Sequence, residues 1–549
     1  MKRKQVFLAL GTALCLSLFA TACGSSTASA AATTAATTAE ISAAAETTAS
    51  ESADTDTTGA PEAPGDAPDG EAPQGTPPDA PDGGPGGGGA NTMTYDYTGD
   101  LSGPLTADGE EKTSDGETTE STEADENAAL AQNGGTLTIT KGTLNKSGDD
   151  TNGDNCNFYG LNSIVLSVGD GSKVNLSDST LSADSEGSNA IFATDSGSVY
   201  AYNSKIHTTA GNSRGLDATY GGTVIADSMD ITTEGDHSAS LATDRGGGNI
   251  SATNSTLSTA GSGSPLLYST GDIEVKNVTG TATGSQIAGM EGYNTILIED
   301  SDLTSTITSK TASDPVANGV IIYQSTSGDA ESSTGETAKF QAVDSQLSSS
   351  IEEGSMFYIT NTTAQVYLRN TGVNFDSDKA NLLTIEGNNA NNWGTEGSNG
   401  GTVTFTADTE TLSGDITVDT ISSLDLYLLN GSTYTGAMTI EDNDAATSTT
   451  DSPITVNLDG TSTWVVTADT TISNLNAEDG ARIVDADGKT VTIVADGKTV
   501  VQGDSDLTVT VIGSYSTTVN TDSASEETTD YIDRSGFDST FGTSTDFAG

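Results

Sequence analysis

The sequence predicts an all-β fold in which short strands stack, coil upon coil, into a solenoid. A phrase of four or five residues returns every 23 to 27 residues, accompanied by segments that alternate apolar and polar residues. Such a period is typical of a solenoid, because one coil cannot bury its apolar face alone. The composition agrees, since only 5% of the residues are aromatic and a solenoid needs just a narrow continuous core.

The recurring phrase places Asn or Asp before a small residue, usually Ser, and an aliphatic residue follows. It occurs six times within residues 169–303, beginning at Asp178, Asn203, Asp227, Asn254, Asn277 and Asp300. Counted between their second residues, successive copies lie 25, 24, 27, 23 and 23 residues apart. Asn and Asp tolerate the left-handed backbone of a tight bend, so each copy indicates a turn. We expect Asn203, Asn254 and Asn277 to stack and to hydrogen-bond along the solenoid axis.

The segment before the phrase alternates apolar and polar residues, which is the period-two pattern of a half-buried strand. It is seen at residues 134–140, 173–176, 198–201, 223–226, 272–275 and 295–298. Three strands of about five residues and their turns fill about 24 residues, so the coils should stack about 4.8 Å apart in parallel sheets.

Together these residues resemble the right-handed parallel β-helices of the pectate-lyase-like kind, in particular bacterial surface lipoproteins and adhesin-like proteins with that fold. The resemblance covers residues 134–401 and rests on the Asn/Asp-Ser phrase and on the Gly-Gly-Thr strand starts. It implies the fold and its right hand, which parallel crossovers also favour. It does not select a function, because the class includes lyases, hydrolases, polysaccharide binders and adhesins.

Residues 1–22 have the pattern of a signal peptide, with Lys2, Arg3 and Lys4 before an apolar run too short to span a membrane. The following Ala-Thr-Ala-Cys, with Ala20 where leucine is more usual, resembles the lipobox of bacterial lipoproteins. This resemblance implies that Cys23 carries lipid and becomes the first residue of the mature protein. The alternative is ordinary secretion with Cys23 unmodified.

The remaining chain divides by composition. Residues 23–94 indicate a disordered tether, since they include eight of the twelve prolines and cannot repay their ordering entropy. We expect an N-terminal cap at residues 95–133, regular coils with loop excursions at 134–401, and further coils with a C-terminal cap at 402–520. The repeated Asp-Gly-Lys-Thr-Val near that end indicates hairpins or tight turns. An acidic tail that frays is expected at residues 521–549.

The formal net charge of −59 argues against nucleic acid as a partner, because its phosphates require Lys and Arg. It equally disfavours direct adsorption to anionic lipid. We therefore expect a monomer on the extracellular face of the cell membrane, attached only through its lipid anchor. Its expected partner is a polysaccharide or another cell-surface ligand.

Candidate binding residues are few. Arg214 and Asp217 on one coil face Asp244 and Arg245 on the next, if the ladders align, and they form either a ligand site or a surface ion-pair cluster. Trp393, in an Asn-rich loop, either stacks on sugar rings or anchors its own loop.

A calcium site is the one cofactor that the sequence suggests. Asp149, Asp150, Asn152 and Asp154 place oxygen ligands close together but lack the final Glu of an EF-hand. Turns of Asp, Asn and Gly also form without metal, so an ordinary turn is the alternative.

No catalytic residue is expected. The chain has two histidines, His207 and His237, and six arginines, and it lacks the Gly-His-Gly and Arg-Ile-Lys motifs that β-helix polygalacturonases need. The expected function is therefore a non-enzymatic, adhesin-like binding protein. The alternatives are a polysaccharide lyase or hydrolase and a ligand-free spacer. We expect function where the ladder is interrupted, at residues 149–155, 326–337 and 387–401.

Overall fold

The computed structural model describes residues 93–325, 329–330, 337–390, 393–545 and 547. The expected signal peptide, Cys23 and residues 23–92 of the expected tether lie outside the described residues. Within the described residues the chain forms 46 strands and two short helices.

The first thirty strands and the first helix make the regular coils. Their bounds are β1 Leu105–Asp108, β2 Glu111–Asp115, β3 Thr118–Ser121, β4 Ala129–Gln132, β5 Thr136–Thr140, β6 Thr143–Lys146, α1 Gly153–Tyr159, β7 Val165–Val168, β8 Lys173–Ser177, β9 Thr180–Ala183, β10 Ile191–Thr194, β11 Ser198–Tyr202, β12 Lys205–Thr208, β13 Leu216–Ala218, β14 Gly222–Asp227, β15 Asp230–Thr233, β16 Leu241–Thr243, β17 Gly248–Thr253, β18 Thr256–Thr259, β19 Leu267–Ser269, β20 Asp272–Lys276, β21 Thr279–Ala282, β22 Ala288–Glu291, β23 Thr295–Glu299, β24 Asp302–Ser305, β25 Asn318–Tyr323, β26 Ala338–Val343, β27 Gln346–Ser349, β28 Ser355–Thr360, β29 Thr363–Arg369 and β30 Gly372–Asn374.

The remaining elements complete the C-terminal part. They are β31 Asn381–Ile385, β32 Thr402–Asp408, β33 Thr411–Ser413, β34 Ile416–Asp419, β35 Ser423–Leu429, β36 Thr433–Thr435, β37 Met438–Glu441, β38 Ile454–Leu458, β39 Thr463–Val465, β40 Thr470–Ile472, β41 Asn474–Ala477, β42 Arg482–Val484, β43 Thr492–Ala495, β44 Lys498–Val501, β45 Thr508–Val511, β46 Tyr515–Ser516 and α2 Ser535–Phe541.

Each regular coil gives one strand to each of three parallel sheets. Sheet A has thirteen strands, from β1 through β4 and every third strand to β37. Sheet B has fifteen strands, from β2 to β46, and sheet C has ten, from β3 to β30. Sheet D (β33, β36, β39 and β42) then supplies the third strand of each coil, and sheet E (β40, β45, β43 and β44) lies at the C-terminal end. The expected all-β fold of stacked parallel coils is confirmed.

The turn between sheets B and C uses the left-handed backbone that the phrase predicted. The backbone angle φ is 52° at Asp178, 45° at Asn203 and 51° at Asn254. The copy at Asp227 differs by one residue from the expected alignment, because Asp227 is the last residue of β14 and Ser228 takes the left-handed position with φ of 58°. The short side chain of Ser228 lowers the steric cost of this bend, and the Asp227 carboxylate accepts hydrogen bonds from Thr253 and Asn254 of the next coil.

The expected polar ladder exists along this turn. Asn277 Nδ2 donates to Asn254 Oδ1 at 2.6 Å, and Asn254 Nδ2 donates to Asp227 Oδ1 at 2.6 Å. Asn203 instead donates to Asp178 Oδ1 at 2.5 Å. A carboxylate therefore accepts the amide proton wherever the neighbouring coil has no asparagine.

The core is a continuous apolar column between the sheets. Inward side chains of sheet B, such as Val199, Val224, Ile250 and Ile273, stack in register and are at most 1% exposed. Strand alternation places every second residue in this column, so a few aliphatic residues in each coil suffice.

The N-terminal region begins the solenoid rather than only capping it. Strands β1 to β4, within residues 95–133, already belong to sheets A, B and C. Ahead of them, Tyr95 and Leu101 pack on the outer face of sheet A against Leu130, Leu166 and Phe192. The sequence boundary at Gly134 was therefore too late, because the polar β2 and β3 lack clear apolar alternation.

The C-terminal end contains the expected hairpin. Strands β43 and β44 are antiparallel, and Asp496 and Gly497 between them have φ values of 48° and 67°. Left-handed angles at both turn residues are the geometry that Asp-Gly favours in a two-residue hairpin.

The expected fraying of the acidic tail is wrong for residues 525–545. This segment, the C-terminal strap, runs back along the outer face of sheet B, where Ser525 N donates to Thr406 Oγ1 at 2.9 Å and Ile532 N to Glu274 Oε2 at 3.2 Å. Arg534 is 4% exposed and Phe537 is fully buried. A few anchoring side chains order a segment that is otherwise polar.

Candidate functional site

The candidate site is a cleft on the outer face of sheet A. Inward positions of β13, β16, β19, β22 and β25 fill the core, so the next residue of each strand points outward. The register aligns these outward residues in the order Asp217, Ala242, Tyr268, Gly289 and Ile321. Because Ala242 and Gly289 have little or no side chain, they leave space on either side of Tyr268, and Tyr268 and Gly289 line the resulting depression.

Three excursions from the regular coils contribute walls to this depression, together with the loop between β24 and β25, which carries Asp314. Phe158 comes from α1, Asp329 from the loop after β25, and Trp393 from the loop between β31 and β32. They enclose a cavity of about 300 Å³. Of the interruptions expected at residues 149–155, 326–337 and 387–401, the second and third contribute Asp329 and Trp393 to this cleft, whereas the first only precedes Asn157 and Phe158, which line it.

A buried ion-pair cluster lies at the bottom of the cleft. Arg214 Nη1 is 3.3 Å from Asp217 Oδ2, and Arg214 Nη2 is 3.0 Å from Asp244 Oδ2. The side chains of the three residues are 9%, 0% and 6% exposed. Arg214 Nη1 also donates to Asn157 Oδ1 at 3.0 Å. The residues thus form the ion pairs that the alternative expected, but the cluster around Arg214 is buried and not at the surface, because α1 covers this part of sheet A.

Burial dominates the electrostatics of the cluster. It raises the pKa of Asp244 to about 7 and the pKa of Asp217 well above its ordinary value, while the Arg214 guanidinium acts on both in the opposite sense. One arginine between two carboxylates thus cannot fully offset the loss of hydration. Asp244 can gain or lose a proton near neutral pH.

Arg245 contacts different partners from Arg214. Its Nη2 lies 2.8 Å from Asp329 Oδ1, and its guanidinium carbon lies 3.6 Å from the centroid of the Phe158 ring. Its backbone N–H donates to Asp244 Oδ1 at 2.9 Å. Arg245 therefore ties α1 and the loop after β25 to the coil that carries Asp244.

Trp393 is nearly buried, with 6% of its surface exposed. Its ring stacks on Tyr323 with the centroids 4.0 Å apart, and its carbonyl accepts from Asn399 Nδ2 at 2.8 Å. Tyr323 covers one ring face, so Trp393 anchors its own loop while still lining the cleft.

Sequence reasoning missed further polar groups of the cleft. Tyr268 OH donates to Glu291 Oε2 at 3.2 Å, and Asp314 Oδ2 accepts from Asn318 Nδ2 at 2.8 Å. Burial raises the pKa of Glu291, and it raises the pKa of Asp314 to about 6. An alignment of the repeats could have identified Glu291. The strand register places it two coils after Asp244 in the same column of side chains.

Three of the four residues proposed for calcium have side-chain partners within the protein. Asp149 Oδ1 accepts from Glu186 N at 3.0 Å, and Asn152 Oδ1 caps α1 by accepting from Asp154 N at 3.0 Å. Asp150 hydrogen-bonds with the Cys156 thiol. No three His, Cys, Asp or Glu side chains converge on a metal position among the described residues.

The two histidines lie outside the chemistry of the cluster. His207 is half exposed and its Nε2 is 2.9 Å from Glu234 Oε1. His237 lines the cleft from a turn with φ of 54°.

Neither helix in the described ranges has the length and apolar character needed to cross a membrane.

No protein-family model matches the sequence, and comparison with curated proteins finds no relative.

Proposed function

We propose that the protein is a lipid-anchored, non-enzymatic binding protein of the cell surface, and that the cleft on sheet A holds part of a polysaccharide or of another surface glycan. The observation that carries the proposal is the convergence of three excursions on one cleft. A solenoid that acts only as a spacer has no need for such convergence, because regular coils already stabilise each other.

The lining of the cleft suits a sugar. Tyr268, Tyr323 and Trp393 supply aromatic surface, and Gln286, Asn157 and Arg214 supply hydrogen-bonding groups. Binding pockets combine such apolar surface with a few polar groups that fix the orientation of the ligand. The resemblance to surface lipoproteins of the pectate-lyase-like β-helix kind supports the same location and role.

The anchor follows from Cys23 in its lipobox-like context. Replacement Cys23→Ala is expected to release the protein into the medium, because the lipid that holds it to the membrane is absent. Membrane fractionation of the two forms measures this. Unchanged membrane association of Cys23→Ala would contradict the anchor.

Binding is tested with the released Cys23→Ala protein on a panel of soluble and insoluble glycans, with and without calcium. Retention on at least one glycan is expected, and Gln286→Ala in the cleft should weaken it. Gln346→Ala, at the exposed first position of β27 in sheet C, is the matched control. Absence of retention on every glycan would favour the spacer.

The second candidate is a polysaccharide hydrolase or lyase on the same scaffold. The raised pKa values of Asp244, about 7, and Asp314, about 6, favour it, since general acids need protons near neutral pH. Release of reducing or unsaturated ends from the glycans of the panel would establish catalysis. Retention without release supports the binding protein.

A further inference from the structure

We propose that the ligand of the cleft is a sugar that carries a protonated amine, and that the cleft selects it over neutral and acidic sugars. This inference rests on the proposed function and adds the chemical class of the ligand. Three features carry it: the carboxylates of the lining, the engaged arginines and the aromatic walls.

The charged groups that line the cavity are mostly acidic. Asp244, Asp314 and Asp329 contribute carboxylates, and Glu291 lies behind them, hydrogen-bonded to Tyr268. Arg214 is the one arginine of the described lining. Arg214 and Arg245 pair with Asp217, Asp244 and Asp329, so acidic groups remain in excess around the cavity through Asp314 and Glu291. An ammonium group entering the cavity meets this excess, whereas a uronate adds a further acidic group to a poorly hydrated site.

The arginines near the cavity are already engaged. Arg214 donates to Asn157, Asp217 and Asp244 at 3.0 to 3.3 Å. Arg245 donates to Asp329 through Nε at 2.9 Å. A carboxylate ligand would have to displace Asp217 or Asp244 to reach Arg214, which leaves a buried charge unpaired, and would have to displace the partly exposed Asp329 to reach Arg245.

The walls of the cavity also favour a cation. Phe158, Tyr268, Tyr323 and Trp393 line it, and aromatic faces attract cations within about 6 Å. Phe158 already binds one, because the Arg245 guanidinium lies 3.6 Å from its ring centroid. The same rings can pack against the apolar face of a sugar, so an amino sugar uses both properties at once.

The size of the cavity limits how much of a glycan it holds. Its volume of about 300 Å³ is at the lower end of the range of small-ligand pockets, roughly 300 to 1,000 Å³. A terminal residue or a short branch fits better than a long stretch of chain.

The test is calorimetric titration of the full Cys23→Ala protein with three oligosaccharides of equal length. They are glucosamine oligomers, their N-acetylated counterparts and galacturonate oligomers, and spermine serves as an amine without sugar. Glucosamine oligomers are expected to bind at least about tenfold more tightly than either other oligosaccharide. Spermine should bind more weakly than the glucosamine oligomers.

The variant Asp314→Asn removes one lining carboxylate and should reduce the preference for the amine about threefold or more. Asp302→Asn, exposed on sheet C, is the matched control with the same change of charge. Thermal unfolding verifies that both variants fold.

The possible results test separately the preference for an amine, the assignment to a sugar, the proposed function and the role of Asp314. Equal or tighter binding of the acetylated oligomers would overturn the amine preference while leaving glycan binding intact. Spermine binding as tight as that of the glucosamine oligomers would overturn the assignment to a sugar. Failure of all three oligosaccharides to bind would overturn this inference, and failure of the whole glycan panel would overturn the proposed function with it. An unchanged preference in folded Asp314→Asn would contradict the role of the lining carboxylate.

Discussion

Arg214 is the residue whose removal should cost most stability. It separates two carboxylates, Asp217 and Asp244, that have almost no contact with water. Arg214→Ala leaves both without their cation, and breaking a buried pair costs about 3–5 kcal/mol. We expect the free energy of unfolding, measured by urea denaturation, to fall by about this amount.

The control for Arg214 is an exposed ion pair on sheet C. Lys205 Nζ lies 3.3 Å from Asp230 Oδ2, with side chains that are 71% and 55% exposed. Water solvates both charges, so Lys205→Ala should change the free energy of unfolding by less than about 1 kcal/mol. Similar losses in the two variants would contradict the buried cluster.

Arg214 also illustrates what sequence reasoning can reach. The spacing of the repeats suggested that Arg214 and Asp244 approach each other across adjacent coils. In the structure Arg214 Nη2 lies 3.0 Å from Asp244 Oδ2. The spacing of the repeats carried no information on the burial of these charges. The cluster is covered by α1, an irregular segment that the repeating phrase does not include. Only the path of an irregular segment decides whether such charges face water.

At the scale of the element, the C-terminal strap is held mainly by one arginine. Arg534 donates to the carbonyls of Ser251 and Ala226 at 2.8 and 2.9 Å and to the hydroxyls of Ser251 and Thr253 at 2.7 and 2.9 Å. Phe537 then packs between Tyr200 and Tyr202 of β11. These contacts join three successive strands of sheet B, β11, β14 and β17.

Replacement Arg534→Ala should loosen the strap without unfolding the coils. Each buried acceptor left without a donor costs about 1–3 kcal/mol. Amide hydrogen exchange in residues 525–545 should therefore become at least about fivefold faster, while exchange in sheet A stays unchanged. Hydrogen-exchange mass spectrometry measures both regions.

Arg482→Ala is the control for the strap, because Arg482 is exposed on sheet D. It removes the same charge without touching sheet B, so exchange in the strap should not change. Equal exchange rates for residues 525–545 in the parent and Arg534→Ala would contradict the anchoring role.

The strap could not be predicted, for a physical reason. Composition predicts disorder when a segment has too few apolar groups to repay its ordering entropy. In residues 525–545 the ordering entropy is offset at a few sites. Chief among them are Arg534, which binds hydrogen-bond acceptors of sheet B, and Phe537, which packs against tyrosine rings of the same sheet. The coils were predictable because Asn203 and Asn254 repeat a local need for left-handed backbone in every turn.

At the scale of the whole molecule, buried carboxyl groups should make stability depend on pH. Burial raises the pKa of Asp244, Glu274 and Glu410 to about 7 and that of Asp314 to about 6. The same groups have pKa values near 4 in an unfolded chain. Between those values the folded protein binds protons that the unfolded chain does not bind. Their contribution is therefore full below about pH 4 and is lost as the pH rises through about 7.

We expect the protein to resist urea better at pH 5 than at pH 8, with the midpoint falling steadily between them. The net charge of −59 acts in the same direction, because carboxylate repulsion destabilises a compact state. Salt screens that repulsion more than it affects buried groups. A fall of the urea midpoint with pH that persists in 0.5 M NaCl is therefore due to the buried carboxyl groups. Glu410→Gln removes one of them, and its slope should be smaller than that of the parent. A midpoint that rises toward pH 8, or an unchanged slope in Glu410→Gln, would show that these groups are charged in the folded protein near neutrality.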